Sequence, residues 1–113
     1  MSNQVFLIGR LTYDPEVTLL ENDKEKSQIT IAIPRNYKNA DGEYDTDFVD
    51  CILWDGVAKN TSEYCKKGDL IGIKGRLQTS NYESKDGKNI KMIQVVAEKI
   101  SFLSSNKLIN QYN

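Results

Sequence analysis

A single helical stretch interrupts an otherwise strand-rich chain, and its place in the order of elements limits the fold more than any other feature. Asp55 can cap a helix beginning near Gly56, with Val57, Thr61, Tyr64 and Cys65 at i, i+4, i+7 and i+8 forming one stripe. Lys66 and Lys67 suit the negative end of its dipole, and Gly68 suits the position just past its end. Three strands precede this helix. Val5–Thr12 is densely apolar, with Val5, Leu7, Gly9 and Leu11 on one side and Phe6, Ile8 and Arg10 on the other; Gly9 marks a bend, a bulge or a close backbone approach. Pro15 breaks it, and Glu16 to Leu20 can resume extended structure before a charged turn, Glu21 to Lys26. Gln28–Arg35 alternates with Ile29, Ile31 and Ile33 inward, and Pro34 closes its ladder or sits on an edge. The third strand contains Phe48–Trp54. Leu70–Gln78 and Ile90–Leu103 follow the helix, the last with a possible break near Ala97. Asp41-Gly42 and Asp86-Gly87 are the signals of two hairpin tips.

Three consecutive strands, one helix and two more strands cannot build an alternating parallel sheet. They match an all-β fold, the OB-fold, a five-stranded partly open Greek-key barrel with one helix between strands three and four. Such barrels present a strand face and flanking loops to oligonucleotides or oligosaccharides. Residues 1–104 read as this one domain and 105–113 as a short polar tail that frays from Ser104 onward.

Within the third strand, side chains alternate with a period of two, so Val49, Cys51 and Leu53 share a uniformly apolar side that suits a core. Phe48, Asp50, Ile52 and Trp54 share the other. Two large aromatics with a carboxylate between them make a poor core face and a good surface for meeting something flat.

Composition narrows the chemistry. The chain has no histidine and two cysteines, Cys51 and Cys65, without metal-ligand spacing. These read as buried free thiols in a reducing compartment, with a redox pair as the lesser alternative. Ser-His and Cys-His machinery and the commonest zinc ligand are excluded. Asp45, Asp47 and Asp50 lie close in sequence, but alternation separates Asp47 from Asp50. No catalytic residue, metal or cofactor is expected. Fifteen Lys and Arg against sixteen acids leave a net charge of −1, so any nucleic-acid surface must come from the placement of charge rather than its total. The start lacks a secretory pattern and no apolar run spans a bilayer, which makes the cytoplasm the expected location, without membrane contact.

Four aromatics fall outside the inferred core: Tyr37 and Tyr82 near the two hairpins, Phe48 and Trp54 on strand three. Arg35, Lys38, Lys74, Arg76, Lys85 and Lys88 lie near them in sequence or on the outward side of strand four. Aromatics stack bases at about 1–3 kcal/mol each while cations meet the intervening phosphates, so the set predicts sequence-tolerant binding of a single strand. The alternatives are that Phe48 and Trp54 cap the barrel or fill a dimer interface, that the tyrosines are ordinary hairpin residues, and that each lysine is a solvated charge. Phe6, Tyr13, Tyr64 and Phe102 are assigned to packing.

The chain resembles the bacterial and phage single-stranded DNA-binding protein family. The resemblance runs from about Asn3 to Leu103 through Val5-Phe-Leu-Ile-Gly-Arg-Leu-Thr12, Asp14-Pro15-Glu16, Asp41-Gly42-Glu43-Tyr44 and Asp47-Phe48-Val49 with Trp54. It continues through Glu63-Tyr64-Cys65-Lys66-Lys67-Gly68, Ile73-Lys74-Gly75-Arg76-Leu77-Gln78-Thr79, Tyr82-Glu83 with Asp86-Gly87, and Val95-Val96-Ala97. It implies that Tyr37, Phe48, Trp54 and Tyr82 are the base-stacking residues. It also implies a role with single-stranded DNA in replication, recombination and repair, in a bacterial nucleoid or phage-infected cell. A homo-oligomer is implied, a tetramer or a dimer, with Asn3 to Phe6 in the dimer contact.

Three features depart from the family pattern. Asp50 puts a carboxylate on the aromatic side, where it repels phosphate unless Lys74, Arg76 or another cation offsets it. Thr79-Ser80-Asn81 is uncharged before Tyr82. Lys107 to Asn113 does not match the family's acidic tip, so recruitment of replication and repair proteins is not carried over. The alternative function is an OB-fold replication accessory or protein-interaction module with weak nucleic-acid binding.

Overall fold

Alternating apolar residues on five long strands meet inside a barrel, and the computed structural model, which describes residues 1–105, shows how the ends join. In chain order the elements are β1 (Val5–Leu11), β2 (Thr18–Leu19), β3 (Glu25–Lys38), β4 (Tyr44–Trp54), α1 (Asp55–Tyr64), β5 (Leu70–Glu83) and β6 (Asn89–Ser104). The sheet order is β1-β5-β6-β4-β3-β2, and a further β1–β3 pairing closes the ring. Two seams are narrow. β1 meets β3 through Arg10↔Ala32 and Leu11↔Ile31, and β4 meets β6 in parallel through Cys51↔Val95 and Ile52↔Val96. Apart from the two-residue β2–β3 pairing, the remaining contacts are long antiparallel ladders. With its helix between the third and fourth long strands, this is the expected OB-fold. The expected tail lies, from residue 106 on, outside the described residues.

The interior is filled from the inward side of each strand: Ile29 and Ile31, Leu53, Ile71 and Ile73 are fully buried. At roughly 1.5–3 kcal/mol per buried aliphatic side chain these residues dominate the stability of the barrel. Cys51 and Cys65 are buried free thiols. Burial pushes Cys51 up to about 11, Asp50 adding to the rise, and burial likewise raises Cys65. Both thiols are therefore protonated near neutral pH and poor nucleophiles.

Closure depends on two close backbone approaches. A Cβ on Gly9 would stand 2.8 Å from the Ala32 carbonyl oxygen, where β1 crosses to β3. On Gly75 it would stand 2.1 Å from the Val96 carbonyl oxygen. The register slips beside Gly75, from Lys74↔Lys99 to Gly75↔Ala97, leaving Glu98 as the extra residue of a bulge. The irregularity expected near Ala97 is thus a bulge within a continuous strand rather than a break.

Several local expectations are corrected. The helix ends at Tyr64, so Lys66, Lys67 and Gly68 belong to the following loop, where Gly68 N–H donates to the Leu11 carbonyl at 2.8 Å. Its buried side is Ala58 and Thr61 continued by Cys65, with Tyr64 exposed, because α1 meets β3, β4 and β6 together and the contact stripe is rotated from the Val57 line. Asp55 does not cap the helix. At φ 49° it turns the chain, and its Oδ1 accepts from the Glu25 N–H at 3.1 Å. Pro34 does not close its ladder: β3 runs through it in register with Thr46, with no strand among the described residues paired on its other side, and a register shift follows between Pro34 and Lys38.

Candidate nucleic-acid interface

Residues paired across neighbouring strands project to the same side of a sheet, so the ladder register assigns each side chain to a face. Trp54 is opposite Lys26, Asp50 opposite Thr30, and Phe48 opposite Ala32. Ile52 lies opposite Gln28 on one side and Val96 on the other, and Val96 is opposite Arg76. The outward face is therefore continuous from β3 through β4 and β6 to Arg76 on β5. Gln78, Ser80 and Tyr82 extend it along the β5–β6 hairpin, with Tyr82 opposite Ile90. Phe48 (67% exposed) and Tyr82 (47%) offer open rings, Trp54 is half-buried, and Ile52 with Val96 forms a buried floor between them. The Arg76 guanidinium is steadied by Gln78, Nη1 to Oε1 at 3.2 Å.

The other residues expected at the site are distributed unevenly. Tyr37 is exposed on β3 within the irregular stretch between Pro34 and Lys38. Lys85 and Lys88 are exposed at the β5–β6 tip, which is shaped by a Ser84 N–H to Lys88 carbonyl bond of 2.8 Å. Lys38 sits over the Tyr44 ring, its Nζ 5.9 Å from the centroid. Lys74 points outward beside Phe6 and Lys99, past the Gly75 crossing. Arg35 is engaged by acids: its guanidinium donates to Asp47 through Nε (3.2 and 3.3 Å) and Nη2 (2.9 Å), with Asp45 at 3.8 Å. The hydrogen bond to Asp47, ahead of simple charge attraction, raises Arg35, and the same bond holds Asp47 below its usual range. A phosphate reaching Arg35 must compete with that carboxylate.

Asp50 is satisfied rather than neutralised. Thr30 Oγ1 donates to its Oδ1 at 2.5 Å, and Tyr13 Oη donates to the Gln28 carbonyl at 3.0 Å and touches Thr30 Oγ1 at 3.3 Å. Among the described residues no salt bridge reaches Asp50. Neither Lys74 nor Arg76 forms a salt bridge with it.

Three further side chains adjoin this face without being singled out by the sequence. Tyr44 (59% exposed) has the parity of Phe48 and adds an aromatic to the same side of β4. Alternation from Phe48 backwards would have revealed it. Lys24 and Lys26 lie over the Trp54 ring, at 5.8 and 5.6 Å from its centroid. Lys24 belongs to the charged turn expected there, whereas Lys26 is in β3, which starts three residues earlier than its apolar alternation suggests.

Three of the four residues assigned to packing are also corrected. Phe6 (70% exposed), Tyr64 and Phe102 are open, and Tyr13 is partly so while anchored by its hydroxyl. Phe6 has outward parity on β1, and Tyr64 and Phe102 line a groove of about 550 Å³ between α1 and the end of β6. That groove is mostly apolar, whereas the aromatic face combines open rings with cations, the combination that single strands require.

Comparison with known proteins agrees with this geometry. Single-stranded DNA-binding protein B of Bacillus subtilis is 43% identical over 103 residues, 91% of this chain and 91% of that protein. Single-stranded DNA-binding protein 1 of Lactococcus lactis is 42% identical over 111 residues, 98% of this chain and 74% of its own length. The single-stranded DNA-binding protein of Bacillus cereus is 44% identical over 103 residues, and the chain spans only 61% of it. The model of the single-strand binding protein family matches residues 2–103, the whole barrel with its helix and both long hairpins. By fold and by sequence alike, the chain belongs to the single-strand binding protein family.

Proposed function

We propose that this protein binds single-stranded DNA with little sequence preference and acts by binding rather than catalysis, coating and protecting exposed strands in replication, recombination and repair. The observation that carries the reading is the continuous face on which ladder register unites Trp54, Phe48, Arg76 and Tyr82. Residues 1–104 form the binding domain. Bases stack on Trp54, Phe48, Tyr37 and Tyr82, while Lys38, Lys74, Arg76, Lys85 and Lys88 meet phosphates and Arg35 does so in competition with Asp47. The protein works in the cytoplasm of a bacterium or phage-infected cell; no helix among the described residues is long and apolar enough to cross a membrane.

It does so as a homo-oligomer, a tetramer built from dimers. Phe6 and Ile8 are exposed on the outward side of β1, and the outward direction of Gly72, opposite Ile8, leads to the exposed Leu103. Asn3 supports the start of β1 by holding both backbone groups of Leu77, at 2.7 and 2.9 Å. An open apolar patch of this kind suits contact with a second copy.

Titration of the protein with oligothymidine, read by the emission of its one tryptophan, tests the binding. Quenching with affinity that falls with salt, at a log–log slope of about −0.7 per phosphate contacted, is expected. Unquenched emission and no binding at low salt would overturn the reading. A second titration concerns Asp50. Asp50→Asn keeps an acceptor for Thr30 and removes the charge, so affinity should rise roughly two- to fivefold at low salt and less as salt screens the repulsion. No change would move the strand's path off this part of β4.

A further inference from the structure

Trp54 ends the aromatic row on β4, and beyond it the chain enters α1. The side chains that flank it come instead from the start of β3 and the residue just before it. Lys26 is its ladder partner, and Lys24 is the last residue of the turn before β3. Both ammonium groups lie against the indole, at 5.8 and 5.6 Å. Their backbone is held firmly. The Leu20 N–H donates to the Lys24 carbonyl at 2.8 Å, the Lys24 N–H to Asn22 Oδ1 at 3.2 Å, and the intervening Glu25 N–H to Asp55 Oδ1 at 3.1 Å. Glu21, Asp23, Glu25 and Asp55 are near in sequence or contact, yet among the described residues no salt bridge joins any of them to either lysine. In this respect the pair differs from Arg35, which is already bound by Asp47 and Asp45.

We propose that Lys24 and Lys26 form a phosphodiester site next to Trp54, so that a single strand stacked on the indole continues over the β2–β3 turn. The inference rests on the single-strand-binding reading above. An ammonium group and a base cannot occupy the same patch of an aromatic face. In the free protein the lysines cover the indole by cation–π attraction, which is weak at an exposed site. An arriving base displaces them, and their long stems carry the charge to the phosphates on either side of that base. The backbone bonds of the turn keep both lysines within reach throughout, and the extra positive charge lies at the end of the face away from the β5–β6 hairpin tip. The site recognises backbone charge and adds no base preference.

The experiment compares the wild-type protein with Lys24→Gln/Lys26→Gln and Lys24→Arg/Lys26→Arg in oligothymidine titrations from low to moderate salt, read by the anisotropy of a labelled oligonucleotide. The glutamine pair is expected to make the log–log salt slope shallower by about 1.4, two contacts at about 0.7 each, and to weaken low-salt binding roughly tenfold. The arginine pair should restore the wild-type slope. A wild-type slope in the glutamine pair, with binding intact, overturns the inference and leaves the function untouched. A loss that arginine does not restore also overturns it, since the lysines would then act through the shape of the turn. Failure of the wild-type protein itself to bind overturns the underlying reading instead.

Discussion

Trp54→Ala is expected to weaken binding of a labelled oligothymidine by about 1–3 kcal/mol, roughly 5- to 150-fold, the range for one base–aromatic stack. The loss should exceed that of any single lysine change, because an exposed charge contact contributes about 0–1 kcal/mol and is screened by salt. Trp54 is half-buried, and its lysine neighbours lose a partner when the ring is removed, so stability must be measured alongside affinity. Trp54→Phe separates the two effects. It keeps a π-face in the same place on β4 and should retain most of the affinity. If alanine lowers the melting temperature but leaves affinity equal to that of a lysine variant, Trp54 is a packing residue and the aromatic face has been misassigned.

Gly75→Ala is expected to destabilise the barrel by about 3 kcal/mol or more, at the upper end of the cost of overpacking. The added carbon would stand 2.1 Å from the Val96 carbonyl oxygen, 3.0 Å from the Val96 carbonyl carbon and 3.2 Å from the Ala97 Cα. All three are backbone atoms of the neighbouring strand at its bulge, so no side chain can turn aside to make room. Relief requires opening the β5–β6 ladder at its tightest point. For a domain of this size the melting temperature should fall by roughly 10–20 °C in a thermal unfolding scan. Gly56→Ala is the matched control. It lies in the first turn of α1 with nothing within 4 Å of the added carbon, so it should be neutral or slightly stabilising. Equal effects at the two sites would mean that the close approach at Gly75 is not what sets its identity.

The parts of the fold that were legible in the sequence are those written in short-range periodicity. Alternation along Val49 to Leu53 identified the inward side of β4, and all three of those residues turn away from solvent. The Asp41-Gly42 signal located a hairpin tip, where Gly42 has φ 78°. Helix limits were less legible. Asp55 looks like a cap by composition, but its carboxylate is drawn to the Glu25 N–H, thirty residues away. No local pattern announces such a partner.

The same division runs through the candidate site. Phe48, Trp54, Tyr37 and Tyr82 stand out in the sequence because large aromatics on the polar side of strands or near hairpins are conspicuous. The ion pair of Arg35 is not legible there, because a free cation and an ion-paired one look alike in sequence; only the register Ile33↔Asp47 brings the Asp47 carboxylate to the Arg35 guanidinium. The proximity of Lys24 and Lys26 to Trp54 is hidden for the converse reason, since a charged run reads as a solvated turn until the pairing of Lys26 with Trp54 brings it to β4. What the sequence determined by itself was the order of elements, the inward and outward sides of each strand and the residue types available for stacking. These follow from side-chain volume and from a strand period of two, both local properties. The tertiary structure alone decided which strands adjoin and in what register, and hence that Lys26 faces Trp54, that Asp47 holds Arg35, that Thr30 satisfies Asp50 without neutralising it, and that Phe6 is left open on β1. Pairing between distant strands depends on how the whole barrel closes, through approaches such as those at Gly9 and Gly75, and that condition is met only by the assembled chain.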